Sequence, residues 1–226
     1  MAKNLIVVPE KPKSWLTLFA WAFLIILAGK FILQDALPYF GFDEEGYGRF
    51  WRMRWPLIGH ITGGLLALVL GPFQFWAGFR QRYLKAHRWM GRLYLAGILI
   101  GTISSVMLAL TTGMAVSWIW ALSLIVLAFA WISTAGMAFR FILLKRINLH
   151  KEWMVRNYVV TFAFVLDRWI SSQSFFPELG PFKETGPTLI WVCWVIPLFI
   201  TEIIIQWNKK GEAENLYRIG NKQIPR

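Results

Sequence analysis

The feature of the chain that most restricts its fold is a series of six apolar runs. We place them at residues 15–37, 55–79, 89–110, 115–139, 153–175 and 189–207. Each is about 20 residues long, the length at which a helix crosses roughly 30 Å of hydrocarbon. They predict an all-α fold, a polytopic membrane bundle of six transmembrane helices. The bundle forms one membrane domain over residues 1–226, with a polar cytoplasmic tail at 208–226 that we expect to be unstructured.

Composition agrees with a membrane protein and excludes several other classes. Hydrophobic residues make up 57% of the 226 and charged residues only 16%, which excludes a water-soluble globule. The single cysteine, Cys193, excludes an internal disulfide, a zinc site built from cysteines and a Cys-ligated iron–sulfur cluster. We interpret the formal charge of +12 as a sign of membrane topology, and expect membrane lipids rather than nucleic acid as partners.

The distribution of positive charge predicts the orientation of the bundle. Eighteen of the 24 Lys and Arg residues lie on one side, in the N-terminus, residues 80–92, residues 140–156 and the tail. Cytoplasmic loops collect positive charge, so both termini are expected in the cytoplasm, and the expected location is a bacterial inner membrane. Tryptophan side chains favour the headgroup layer of a membrane. The predicted span ends agree with this preference, because tryptophans lie at several of them: Trp15, Trp55, Trp89, Trp153 and Trp207.

A short motif recurs in the two predicted cytoplasmic hairpins. Trp89-Met90-x-Arg92-x-Tyr94 returns as Trp153-Met154-x-Arg156-x-Tyr158, and a histidine precedes each copy, at His87 and His150. The recurrence predicts that helices two and three, and helices four and five, form a parallel internal repeat. The alternative is that membrane interfaces select Trp, Arg and Tyr in any case.

Several of these residues carry a resemblance to a family of uncharacterised bacterial membrane proteins, defined by a predicted membrane domain of unknown function. The matching residues lie within about 52–170: His60, Gly71 to Phe75, His87-Arg88, Gly91-Arg92, Tyr94, His150, Trp153-Met154 and Arg156. The resemblance implies a multi-helix bundle and supplies no activity. More distantly, the chain is similar to two-haem membrane cytochromes of the b561 type through histidines on helix faces. Those proteins use four histidine ligands, whereas this chain has three histidines.

The inner half of the bundle holds the first candidate site. His87 and His150 are predicted at matching depth on two helices, the arrangement that a bis-imidazole haem needs, and would then be the iron ligands. Arg92 and Arg156 would meet the haem propionates, with Gln74 and Glu202 nearby. The same residues could instead hold a quinone headgroup or lipid phosphates, or the histidines could simply bond to backbone or lipid.

The outer half holds a second candidate, a polar cluster of His60, Asp167 and Arg168. Charges inside a span are costly and usually face protein or water. We expect Asp167 to neutralise Arg168 or to orient His60, which would form a proton or ligand site; a structural salt bridge between adjacent residues is the alternative. Helix two adds one small, polar face, suited either to close packing or to a flat cofactor: His60, Gly64, Ala67, Gly71, Gln74 and Gly78.

These sites predict electron transfer with haem b or a quinone as the cofactor. Two alternatives remain open, namely an accessory or assembly subunit of a larger membrane complex, and a proton- or ion-coupled transporter. The sequence identifies no catalytic residue, since it lacks a phosphate-binding loop, a nucleophile elbow and the helical His or Glu pairs of zinc and di-iron sites.

Overall fold

The computed structural model describes residues 15–222, and within them the chain is helical with no β-strand. Ten α-helices follow one another: α1 (Trp15–Phe31), α2 (Glu44–Tyr47), α3 (Arg54–Phe75), α4 (Ala77–Arg82), α5 (Leu84–Leu108), α6 (Met114–Val116), α7 (Trp118–Leu143), α8 (Ile147–Thr161), α9 (Ala163–Ser171) and α10 (Phe182–Lys222). Short π-helical and 3₁₀-helical segments extend or join these helices. They lie at Ile32–Ala36, Leu37–Gly41, Gly48–Met53, Ala109–Gly113 and Pro177–Leu179. The all-α prediction is confirmed for the described residues.

Five helical stretches in this part of the chain are long and apolar enough to cross a membrane, where the sequence predicted six. They are Leu18–Gly41, Glu44–Phe75, Leu84–Val116, Trp118–Leu143 and Phe182–Lys209. The remaining predicted span, residues 153–175, is occupied by the shorter helices α8 and α9 and the turns that follow α9. A turn at Phe162 separates the two helices, and its backbone N–H bonds to the carbonyl oxygens of both Tyr158 and Val159.

Other predicted boundaries shift for local reasons. The second span ends at Phe75 rather than at residue 79, because Trp76 adopts an extended conformation and starts α4. Helices α6 and α7 are separated at Ser117, whose backbone is also extended. The Ser117 hydroxyl caps α7 by accepting a hydrogen bond from the Trp120 N–H at 3.1 Å. The tail is helical as far as Lys222 rather than unstructured. The predicted cytoplasmic N-terminus, residues 1–14, lies outside the described residues.

Helices α3 and α5 approach each other closely, and this approach depends on glycine. A Cβ atom on Gly63 would overlap the carbonyl oxygen of Gly97 and lie 2.8 Å from the amide nitrogen of Gly101. A Cβ atom on Gly71 would overlap the ring of Tyr158 in α8. Small residues let helix backbones approach in lipid, where packing replaces the hydrophobic effect between helices. Part of the small face predicted on helix two therefore serves close packing.

The centre of the bundle is formed by α3, α5, α7 and α8, with α10 packed against α7, α8 and α9. Helix α1 lies at the periphery, where it contacts α9, and most of its side chains are exposed. Gly64 of α3 is among the residues that line a cavity between these helices.

Candidate functional site

A cavity of about 220 Å³ lies inside the bundle, with lining residues from α3, α5, α7, α8 and α9. Its walls are mainly apolar, with contributions such as Leu65, Leu68, Leu127 and Val160. Polar side chains also line it, namely Asp35, Tyr39, Arg49, His60, Ser105, Thr112, Thr161 and Arg168. Cavities of this composition, apolar with a few polar groups, are typical of small-molecule sites.

His60 lies in the cavity wall and its ring is fixed by three contacts. Its Nδ1 is 3.2 Å from the carbonyl oxygen of Gly101, and the ring meets Trp131 and Phe164 edge-on, with centroids 6.5 Å and 5.8 Å away. A carbonyl oxygen only accepts, so Nδ1 must carry the proton in this hydrogen bond. A neutral ring then leaves Nε2 as a hydrogen-bond acceptor for a ligand.

Of the three residues in the predicted outer polar cluster, two line the cavity and one does not. Arg168 lines the same cavity as His60, whereas Asp167 is not among the lining residues. The Asp167 side chain is buried, with 1% of its surface exposed, and its Oδ1 has no hydrogen-bond partner among the described residues. Adjacent residues of a helix point about 100° apart, so Arg168 can face the cavity while Asp167 faces away from it. No ion pair joins the two in the described part of the chain.

The segment between α1 and α3 supplies further cavity residues that the sequence did not single out, Tyr39, Arg49 and Phe50. It is held by Tyr47, which is buried and donates to the carbonyl oxygen of Tyr39 at 2.6 Å. Asp43 caps α2 by accepting from the Gly46 N–H at 2.8 Å. The segment is thus an ordered part of the cavity wall.

A buried hydrogen-bond network lies beside the cavity and joins three helices. Asn157 of α8 accepts from the Tyr94 hydroxyl at 2.6 Å and donates to the Trp131 carbonyl at 2.8 Å and to Thr134 Oγ1 at 2.9 Å. The Trp131 indole donates in turn to Thr161 Oγ1 at 2.9 Å. Trp131 and Thr161 both line the cavity, so the network fixes part of its wall. Nothing in the sequence pointed to Trp131 as a member of this network.

Each of the inner candidate residues makes its own contacts with the bundle. His150 Nδ1 is 2.8 Å from the Ala138 carbonyl oxygen of α7. His87 Nδ1 is buried without a hydrogen-bond partner among the described residues, and the His87 carbonyl accepts from buried Gln74 at 3.5 Å. Arg92 is exposed, and its guanidinium lies 4.8 Å from the centre of the Trp89 ring.

Arg156 has carboxylate partners. Its Nε and Nη2 donate to Glu202 Oε2 of α10 at 2.8 Å and 2.6 Å, and its Nη1 lies 3.6 Å from Glu152. Lys209 of α10 donates to Glu152 at 2.8 Å. The network ties the start of α8 to α10, and Glu202 takes the Nε and one Nη2 donor of Arg156, while Nη1 has no hydrogen-bond partner among the described residues.

Two matched positions of the recurring motif share their local geometry. The Arg156 guanidinium lies 4.9 Å from the centre of the Trp153 ring, close to the spacing of Arg92 over Trp89. Tyr94 and Tyr158 are both buried, and Tyr158 donates to the Leu68 carbonyl at 3.0 Å.

Comparison with known proteins identifies one family. A family model described as a predicted membrane protein (DUF2306) matches residues 57–205. No curated protein and no solved structure matches the chain, so the more distant likeness to b561-type cytochromes finds no support. Within the described residues there is no group of three or more His, Cys, Asp or Glu side chains that could hold a metal ion.

Proposed function

We propose that this chain, which belongs to the DUF2306 family of predicted membrane proteins, binds an amphipathic small molecule within the membrane. A hydroxyl-bearing ring of that molecule would lie in the cavity beside His60. A quinol, the reduced form of a quinone, has this chemistry. The observation that carries the proposal is the combination of an apolar cavity with one fixed imidazole in its wall.

The size of the cavity suits a single substituted ring. Its volume is about 220 Å³, and an apolar cavity of about 150 Å³ in a protein core is large enough to bind benzene. The apolar walls would bury the ring and the start of its tail, while Arg49 and Arg168 supply donors for a second oxygen.

The tautomer of His60 determines which polar group of a ligand can form a hydrogen bond with the ring. Because Nδ1 donates to Gly101, Nε2 can accept but not donate unless the ring becomes charged. A ligand hydroxyl satisfies that acceptor, whereas a ligand carbonyl does not. The proposal therefore favours the quinol over the quinone at this position.

The test measures binding of a tritiated short-chain ubiquinol to the protein in nanodiscs, with unlabelled quinol as competitor to subtract partition into lipid. Gly64 lines the cavity and a Cβ there meets nothing within 4 Å, so Gly64→Leu fills the site without a clash at the backbone. We expect at least tenfold weaker binding. Gly136→Leu on α7 is the matched control, since Gly136 is also open and does not line the cavity.

Replacing the acceptor gives a second variant. His60→Leu removes one hydrogen bond worth about 1 kcal/mol, so quinol binding should weaken about fivefold. Equal competition by unrelated lipids, or equal binding by Gly64→Leu and Gly136→Leu, would contradict the proposal.

A second candidate is haem b at the inner end, held by His87 and His150. It is favoured by the hydrogen bond from His150 Nδ1 to Ala138, because a ligating histidine usually donates its other nitrogen to a carbonyl or carboxylate. A haem would supply one-electron transfer, and its propionates would meet Arg92 and the Nη1 of Arg156, which makes no hydrogen bond among the described residues. A reduced-minus-oxidised absorption spectrum tests it: His87→Ala and His150→Ala should each abolish the Soret band, and His60→Ala should retain it. A wild-type protein without a Soret band rejects this candidate.

We also propose that α8 and α9 together make a sixth crossing in a bacterial inner membrane. At about 1.5 Å for each helical residue, α8 and α9 rise together by up to about 37 Å, enough for the hydrocarbon layer. The Glu152–Lys209 hydrogen bond supports a common level for the basic ends of α8 and α10. Green fluorescent protein folds only on the cytoplasmic side, so fusions to either terminus should both fluoresce; fluorescence from one fusion alone contradicts six crossings.

A further inference from the structure

Asp167 is an acidic side chain that the proposed cavity does not use. It lies on α9, 1% exposed, and its Oδ1 has no hydrogen-bond partner among the described residues. It makes no salt bridge there either, although Arg168 is the next residue. Buried carboxylates are normally paired or bonded to several donors, so this one requires a physical explanation.

The surroundings of Asp167 supply little compensation for a negative charge. Helix α9 packs against α1, α8 and α10. The charged groups that act on Asp167 are Arg168 of α9 and Asp35 just after α1, and Asp167 in turn acts on the Cys193 thiol of α10. Arg168 is exposed, and Asp35 carries the same charge as an ionised Asp167, so neither replaces a direct partner.

The cost of ionisation decides between the two protonation states. An ionised carboxylate without a partner costs several kcal/mol in a buried site, and more where the surroundings are hydrocarbon. Protonation removes that cost and turns one oxygen into a donor. The neutral acid therefore fits this site, and the carboxylate does not.

We propose that Asp167 is a proton-binding site within the membrane and holds its proton at neutral pH. Release of the proton leaves the carboxylate and one free proton, so the site stores one proton without any other reactant. Buried acids of this kind are the elements from which intramembrane proton relays are built. The inference does not depend on the occupant of the cavity, because Asp167 does not line it.

Infrared spectroscopy of the protein in lipid tests this directly, since a protonated carboxyl has a C=O stretch that is absent from a carboxylate. At neutral pH we expect the wild type to show this band and Asp167→Asn, which is neutral and of nearly equal size, to lack it. Asp35→Asn is the matched control and should retain the band. Raising the pH should remove the band from the wild type.

Thermal stability gives an independent measurement. If Asp167 is already neutral, Asp167→Asn should melt within about 2 °C of the wild type at neutral pH, since the substitution removes no charge. Absence of the acid band from the wild type overturns the proposal even if the variant fails to fold. A band that is lost in Asp35→Asn but kept in Asp167→Asn overturns it as well.

Discussion

The contact between α3 and α5 provides a matched pair of substitutions at neighbouring glycines. In Gly63→Ala the new methyl group would overlap the Gly97 carbonyl oxygen and lie 2.9 Å from Gly101 Cα. Both neighbours are backbone atoms, so no side chain can rotate to make room. In Gly64→Ala the methyl group meets nothing within 4 Å.

The expected magnitudes follow from two opposing effects. Alanine in a helix interior is favoured over glycine by up to about 1 kcal/mol, which applies to both variants. Overpacking costs about 1–3 kcal/mol, and applies to Gly63 alone because the two helices must separate. We therefore expect Gly64→Ala to be as stable as the wild type or slightly more so, and the two variants to differ by about 1–3 kcal/mol.

Equilibrium unfolding in mixed micelles, with increasing SDS in a mild detergent, measures the difference. Helix content by circular dichroism reports the unfolding, and the two variants share the same chemical change. Equal free energies of unfolding for Gly63→Ala and Gly64→Ala would refute the close backbone approach of α3 and α5.

Three further predictions use the same unfolding assay. Asn157→Ala removes three buried hydrogen bonds. At about 0.6–1 kcal/mol for each bond, it should lower the free energy of unfolding by about 2–3 kcal/mol. A loss smaller than that of a single bond would contradict the network. Glu202→Gln removes the charge opposite Arg156 and should cost about 1 kcal/mol, because the Glu202 side chain is 41% exposed; the effect should shrink in high salt, and a larger effect in high salt would contradict the ion pair. Gly71→Ala should cost about 1–3 kcal/mol through overlap with the Tyr158 ring, while Gly136→Ala, which meets nothing, should cost none; equal costs would contradict the contact.

The sequence was sufficient for the class of the protein and for most of its helices, because span length and hydrophobicity are properties of the linear chain. It also identified the buried glycine face, since Gly71 and Ala67 follow helical spacing on α3. It placed Arg156 and Glu202 near the same membrane surface, and in the structure they form an ion pair. What spacing could not supply was the identity of each partner across the bundle.

The positions of His60 and Asp167 show why spacing did not identify the partners. The sequence placed both side chains in the outer half of the bundle, but depth fixes only one coordinate, and the direction of a side chain around its helix fixes another. The turn at Phe162 also divides the predicted span, so that Asp167 lies on the separate short helix α9. The packing of α9 against α10 buries Asp167 away from the cavity, while Arg168 faces it. A linear pattern determines which residues enter the membrane and at what height; only the packed helices decide which of them face each other, because that depends on helix rotation and on breaks that carry no strong sequence signal.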